Sequence, residues 1–326
     1  MRSYSTIGRA TRSKRARACW SERTESTLPR PLALWLLRAA WVTLPLTAGP
    51  AAAASLATWS DGPRIAGAAL LWLAWAAGLL ATLATRPLTL TALRVIAPAF
   101  FIAAVLAAID GEASTLAIIG ALAATLVCAF LASGHDIASA AANALAYGDE
   151  QRFPLRVPPA LFLGPIPAAR LVVMGAVVAP VLLLADGDLV LGVAALLVGA
   201  GLVYVLGRSL HSLSRRWAVL VPAGFVVVDS LTLSDPTLFL REHVRRLTPE
   251  PPTATTSSEG LDLRLGGSAG SVSAHFDEEV ELSRAGRGRR GGAMVGTAEI
   301  WFAVARREEF LRLAAGRRLP VQVPIR

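Results

Sequence analysis

Charge is scarce in this chain. Only 17% of its 326 residues are Asp, Glu, Lys or Arg, where a water-soluble domain carries about a quarter. That shortage argues against an ordinary soluble enzyme. Disorder is excluded from the other side, because 54% of the residues are hydrophobic and the mean hydropathy is +0.53. Two cysteines, Cys19 and Cys128, rule out a disulfide framework or a cysteine-based zinc site. The four histidines, His135, His211, His243 and His275, lie far apart, and H-E-x-x-H, G-x-S-x-G and G-x-x-x-x-G-K-[ST] are missing. Gly286, Gly288 and Gly291 spell G-x-G-x-x-G, but no βαβ unit surrounds them and Gly292 stands where a helix should begin. No catalytic, cofactor-binding or metal-ligating residue is therefore expected, no cofactor is implied, and the chain is not read as an enzyme.

Long apolar runs are abundant. A hydrocarbon layer about 30 Å thick needs roughly 20 apolar helical residues. Residues 65–85, 113–134 and 189–207 reach that length without one charge. Three further spans are interrupted. Residues 34–57 contain Arg38, Pro45 and Pro50; 93–109 contain Arg94 and Pro98; 168–185 contain Arg170 and Pro180. The prolines predict kinks, and Arg38, near one end, is expected to snorkel to headgroups. Ala51-Ala52-Ala53 would suit signal cleavage, but the long basic leader and Arg38 favour a retained helix.

Loop charges alternate with these six spans. Arg86, Arg94, Arg152, Arg156 and Arg170 fall on one side, and Arg64 alone on the other, which also holds Asp61, Asp110, Glu112, Asp186 and Asp188. Lys and Arg stay cytoplasmic. The pattern predicts a multi-pass protein of the cell (plasma) membrane with both termini cytoplasmic. Residues 1–30 read as a basic, disordered cytoplasmic tail. Its charges serve as a topology signal, and the tail has so little other work that an overextended start would explain part of it.

No Asp, Glu, Lys or His occupies the centre of a span, so the usual mark of an ion path is missing. A conduit would have to use hydroxyls such as Thr82, Thr125 and Tyr204. The small-residue pairs Gly120/Ala124 and Ala195/Gly199 read as close helix packing. His135 and Asp136 read as an interfacial helix end, with His135 at a C-terminus. In the long loop that follows, 137–147 extends the fourth helix. Pro154, Pro158, Pro159, Pro165 and Pro167 then impose an extended path, with Phe153, Leu161 and Phe162 at the membrane surface.

Residues 208–326 differ in kind. Arg208, Arg215 and Arg216 form a juxtamembrane cluster suited to anionic lipid. Residues 217–222 and 225–230 read as a hairpin buried on both faces, 261–265 as an alternating half-exposed strand, and 271–282 and 294–304 as further strands. Residues 306–315 read as a helix with a Glu308/Arg312 pair, ended by Gly316, before a last strand at 321–325. The acidic run Asp277, Glu278, Glu279 and Glu281 reads as a solvated edge. Arg284, Arg287, Arg289 and Arg290 read as a solvated hairpin loop, and without nearby aromatics nucleic acid is not an expected partner.

The expected fold is thus an α-helical polytopic membrane protein of six transmembrane helices (31–207) with a small β-rich cytoplasmic C-terminal domain (208–326). Arg216-Trp217-Ala218-Val219-Leu220-Val221-Pro222-Ala223-Gly224-Phe225 and its continuation 231–239, read directly after the last span, resemble six-span integral membrane proteins of high-G+C bacteria. The strands-then-helix order is weakly similar to bacterial pleckstrin-homology-like domains. Neither resemblance carries over a functional residue. The expected role is a non-enzymatic scaffold that presents its cytoplasmic domain for lipid or protein contact. A transporter or channel subunit is the alternative. The expected partners are the bilayer, anionic headgroups met by the basic tail and juxtamembrane residues, and a protein partner or a second copy.

Overall fold

The computed structural model describes residues 30–257, 260–286 and 292–322. The basic tail, the centre of the Gly/Arg segment with its G-x-G-x-x-G spelling, and residues 323–325 of the expected last strand, with Arg326, lie outside the described residues.

Six helical segments are long and apolar enough to cross a bilayer. The first is α1 (Arg30–Thr47) with α2 (Gly49–Leu56), followed by α3 (Asp61–Leu83), α4 (Pro87–Asp110) and α5 (Thr115–Ser133). A short α6 (His135–Asn143) intervenes. The fifth segment is α7 (Pro159–Leu163) with α8 (Pro165–Ala185), and the sixth is α9 (Leu189–Ser214). Large apolar side chains point outward along the bundle, among them Leu46, Leu116, Phe130 and Val190, each more than three-quarters exposed. Water does not tolerate so much contiguous apolar surface.

The predicted kinks resolve differently from one another. The first segment breaks at Ala48, and Pro50 sits in the first turn of α2, where its missing N–H costs nothing. Pro98 and Pro180 stay inside unbroken helices. At the turns furthest from the β-rich region, polar residues cap the helices. Asp188 Oδ1 accepts from Leu191 N at 3.1 Å, and Ser114 Oγ from Ala117 N at 3.4 Å.

Small residues let the helices approach. A Cβ on Gly199 of α9 would stand 2.7 Å from the Ala176 carbonyl of α8, so this position requires glycine. Gly120 leaves 3.5 Å to Thr47 O and imposes no such demand. Trp41 lies fully buried over Gly78, where a Cβ would fall 1.9 Å from the ring. Trp41 Nε1 donates to Trp75 O at 2.9 Å, and Trp75 Nε1 donates back to Trp41 O at 3.0 Å. Arg38 does not snorkel outward. Its Nε and Nη2 donate to Thr82 O at 3.1 and 3.0 Å, capping the C-terminal end of α3.

Beyond the bundle come two sheets. The first runs β1 (Gln151–Pro154), β2 (Trp217–Val221), β3 (Gly224–Val228), β4 (Thr237–Leu240), all antiparallel. The second contains β5 (Val244–Pro249), β6 (Leu261–Asp262), β7 (Ser271–Arg284) and β8 (Ala293–Ala303) in the order β5-β7-β8-β6, with β6 parallel to β8. Helix α10 (Arg307–Gly316) closes the shared core. A relay of rings ties the layers together. Phe276, Phe239, Phe225 and Phe302 stack in succession at 4.8, 4.9 and 5.7 Å, and Phe310 meets Phe302 and Phe153 edge-on at 5.7 and 5.3 Å.

Several sequence expectations change here. Phe153 is not at a membrane surface: it belongs to β1 and is buried in the β-rich core, while Phe162 is exposed. The long loop thus supplies an edge strand to a sheet otherwise built sixty residues later. The fourth helix does not continue through 137–147, because Gly134 adopts ψ 152° and α6 starts afresh at His135. The sixth helix runs past Gly207 to Ser214, so Arg208 and His211 ride on it. The strand at 261–265 ends after Asp262. Arg264 is buried beneath Trp301, its guanidinium 4.5 Å from the ring, and Leu265 takes φ 54°. At the start of α10 Arg306, the residue before the helix, pairs with Glu309 at 3.2 Å. The helix ends at Gly316, as expected, and Arg318 just beyond it takes φ 64°. The predicted hairpin is present and buried on both faces: Ala218, Leu220 and Phe225 enter the β-rich core, while Trp217 and Val219 pack on Ala142 of α6.

Candidate functional site

The site lies where the bundle meets the β-rich region, and local chemistry explains the junction. Helix α6 is amphipathic and buries Ile137, Ala138 and Ala141 against the bundle. At its end Asn143 mimics a strand partner: its Nδ2 donates to Arg152 O, and its Oδ1 accepts from Arg152 N, both at 2.9 Å. That pairing aims β1 along β2. Arg216, two residues past the C-terminal end of α9, is not a lipid-facing charge. It is buried and forms a two-pronged ion pair with Asp229, Nε to Oδ1 at 2.7 Å and Nη2 to Oδ2 at 2.8 Å. Asp229 accepts also from Thr232 Oγ1 at 2.9 Å and Leu231 N at 3.1 Å, so its oxygens are saturated. Arg208 and Arg215 remain exposed.

Between these elements is a cavity of about 360 Å3. Arg94 and Thr91 reach it from α4, His135 from α6, Arg156 from the segment after β1, Arg170 from α8 and Ser214 from α9. The rest of the wall is mostly apolar, with Val95, Phe162, Ile166 and Leu213 prominent, and it contains no Asp or Glu. Among the described residues no carboxylate lies within ion-pair distance of Arg94, Arg156 or Arg170. Arg94 Nε donates weakly to Ala132 O at 3.4 Å, and Arg156 Nη2 to Ala305 O at 3.3 Å. The Nε atoms of Arg156 and Arg170 are buried without a partner. Thr91 Oγ1 lies 3.2 Å from His211 Nδ1 and donates to Ser214 Oγ at 3.1 Å, which locks α4 to α9 at the cavity floor. Protein packed on the inner side of His135, then the charges of Arg156, Arg94 and Arg306, hold its imidazole below the usual histidine range.

His135 and Asp136 open α6 instead of ending a helix. Asp136 pairs with Arg306 beside α10. The acids at this face, Asp136, Asp149 and Glu150, do not converge. Glu150 binds Arg152 at 3.1 Å, and the carbonyl of Asp149 accepts from Arg317. These contacts clamp α10 and β1 to the bundle end. The hydroxyls proposed for a conduit do not converge either. Thr82 donates to Leu79 O at 2.8 Å, Thr125 to Ala121 O at 2.7 Å, and Tyr204 is 69% exposed. A larger cavity, about 490 Å3, opens toward the far end of the bundle between Trp72, Trp75, Phe100 and alanines, and none of those hydroxyls lines it.

A second polar cluster crosses β5, β7 and β8. Glu299 accepts from Ser257 Oγ at 2.5 Å and from Trp301 Nε1 at 2.6 Å, and lies 3.4 Å from His275 Nε2. Ser273 Oγ donates to Glu250 at 2.7 Å and lies 3.5 Å from the same Nε2. A nucleophilic relay needs serine and carboxylate on opposite imidazole nitrogens. Here both face one nitrogen, and Ser273 is wholly buried. The cluster is a structural seam. Burial lowers the pKa of His275 and Glu299 raises it, with Arg246 and Arg245 contributing to a net lowering.

Neither cluster shows in the sequence as a motif, because the residues come from separate elements. The only trace of the arginine cavity is the uniform sign of the loop charges on that face. No family model matches the chain, no curated protein matches it, and no solved structure matches its fold.

Proposed function

We propose that the chain is a multi-pass protein of the plasma membrane, with both ends in the cytoplasm. In this reading it is a non-enzymatic scaffold that holds a β-rich domain firmly against the inner membrane face, for contact with lipid. The observation that supports it is the double attachment of that domain. Its sheet takes β1 from between the fourth and fifth long helices and β2 directly from the sixth, and Asp136–Arg306 adds an ion pair across the junction. A tethered enzyme or a flexible adaptor needs one connection; two make the domain part of the membrane-facing surface. Positive loop charge on the same side supplies the orientation.

Reporter fusions test it. An alkaline-phosphatase reporter inserted after Gly111 should be active, and one placed after residue 322 silent. The reverse pattern, or a detergent-free monodisperse particle, defeats the reading. The arginine cavity could also serve an anion conduit as its vestibule. The cavity toward the far end is lined almost entirely by apolar side chains, with Arg64 its one charged residue, so the scaffold reading is preferred. Anion flux in proteoliposomes would reverse that preference.

A further inference from the structure

We propose that the cavity between α4, α6, α8 and α9 binds the phosphate group of an organic phosphoester, with Arg94, Arg156 and Arg170 as its ligands. The chemical claim stands on the cavity itself; only a lipid source for the phosphoester rests on the membrane reading above.

Four arginines, Arg94, Arg156, Arg170 and Arg216, line one partly open cavity with no carboxylate among its walls. Like charges in a partly desolvated space repel more than they would in water, and an anion converts that repulsion into attraction. Neighbouring cations are already accounted for. Arg216 is neutralised by Asp229, and Arg306 by Asp136 and Glu309. Of the arginines at this junction, Arg216 and Arg306 are thus paired, while Arg94, Arg156 and Arg170 have no carboxylate partner among the described residues. Most of their donors are also unspent, since Arg94 and Arg156 each make one long bond to a carbonyl. The buried Nε atoms of Arg156 and Arg170 have no acceptor, as is also true of Arg152, Arg246 and Arg306, but those three have an ion-pair or other side-chain partner and Arg170 has none among the described residues. Arg170 makes no side-chain hydrogen bond among the described residues, so folding alone gives no account of its position.

The ligand class follows from donor geometry. Guanidinium forks match oxyanions with several acceptor oxygens, and phosphate offers enough for three of them. Arg156 is placed by backbone contacts. Its N–H donates to Ala303 O at 2.8 Å, its carbonyl accepts from Arg216 Nη1 at 3.3 Å, and its Nε lies 2.9 Å from where a Cβ on Gly270 would stand. Gly270, with φ 75°, therefore leaves the room that this side chain needs. The cavity far exceeds a phosphate in volume, and Val95, Phe162, Ile166 and Leu213 line the remainder. That lining suits an apolar substituent on the phosphate. Basic pockets between membrane helices bind lipid headgroups in this way.

The test uses the full chain in neutral detergent, titrated by calorimetry with short-chain phosphatidic acid, with glycerol 3-phosphate and, at matched ionic strength, with chloride. Saturable one-site binding of a phosphoester is expected. The R94Q/R156Q/R170Q variant should lose about tenfold or more in affinity, while R208Q/R215Q, which removes exposed charge from the same face, should stay within about twofold. Preference for phosphatidic acid identifies a lipid headgroup, and equal binding of glycerol 3-phosphate identifies a soluble phosphoester; both support the site. Unchanged affinity in the triple variant, equal losses in the two variants, or no phosphoester binding would overturn it. If the triple variant is not monodisperse, R170Q alone is decisive, since it removes no internal hydrogen bond; it should weaken binding at least about threefold, and wild-type affinity would refute the proposal. Phosphoester binding with inverted reporters would sink the membrane orientation and leave the cavity assignment standing.

Discussion

The helical bundle and the β-rich domain solve the same packing problem with different materials. The bundle has few polar atoms and brings helices together on glycine and alanine, as at Gly78 under Trp41 and Gly199 against Ala176. The domain uses a relay of phenylalanines and buries an ion pair whose every oxygen is satisfied. In lipid, helix surfaces gain little from hiding apolar groups, so close van der Waals contact must hold them. In water, burial of large rings supplies the driving force. The two regions should therefore fail under different substitutions.

The strongest test of that contrast is Asp229→Ala. It strands a buried guanidinium and should cost about 3–5 kcal/mol. Amide hydrogen exchange of the domain strands in increasing urea reads the loss, and the bundle's far-ultraviolet helicity should survive it. A domain as stable as wild type would mean that water reaches Arg216. The bundle's counterpart is Gly199→Val, expected to cost about 1–3 kcal/mol by forcing α8 and α9 apart. Gly120→Ala, where 3.5 Å of space exists, should stay within about 0.5 kcal/mol. Equal effects at the two glycines, in thermal unfolding in detergent, would break the packing account. Arg306→Gln cuts the junction between the regions. Its pair with Asp136 is mostly shielded, and a loss of about 1–2 kcal/mol is expected, with faster proteolysis between α6 and β1.

The smallest effect concerns pH, and in the β-rich domain it falls on His275. His275 has a folded pKa below its unfolded value. Its contribution is present above the unfolded pKa of about 6.5 and is lost as pH falls below that value toward the folded pKa. Wild-type domain stability should decline on mild acidification, and His275→Gln should flatten the curve. An unchanged slope in the variant would assign the titration elsewhere. Asp262 acts at lower pH. Burial raises its pKa, but hydrogen bonds and charge from Arg264 outweigh that and bring it below the ordinary value. Its contribution disappears only as pH falls through that depressed pKa.

Legibility in the sequence followed the range of the forces involved. The apolar runs could be read because a helix of membrane-spanning length is a local property, and the hairpin at Gly224 because strand and turn preferences are local too. Phe153 and Arg216 misled for the opposite reason. A phenylalanine among prolines and an arginine after a span both look interfacial until a distant partner claims them, Phe310 in one case and Asp229 in the other. Arg38 was expected at the headgroups, and the Thr82 carbonyl draws it inward. The open cavity was beyond sequence reading, since Arg94, Arg156 and Arg170 counted there only as three more positive charges.

Amino-acid order alone determined six spanning-length helices, the alternation of loop charge and the strand-rich character of the C-terminal third, because hydropathy, charge bias and chain propensity act over neighbouring residues. Tertiary structure decided which arginines are neutralised and which stand open, and it joined β1 to a sheet built much later in the chain. Those outcomes depend on distances between residues far apart in sequence, and only the folded backbone sets such distances.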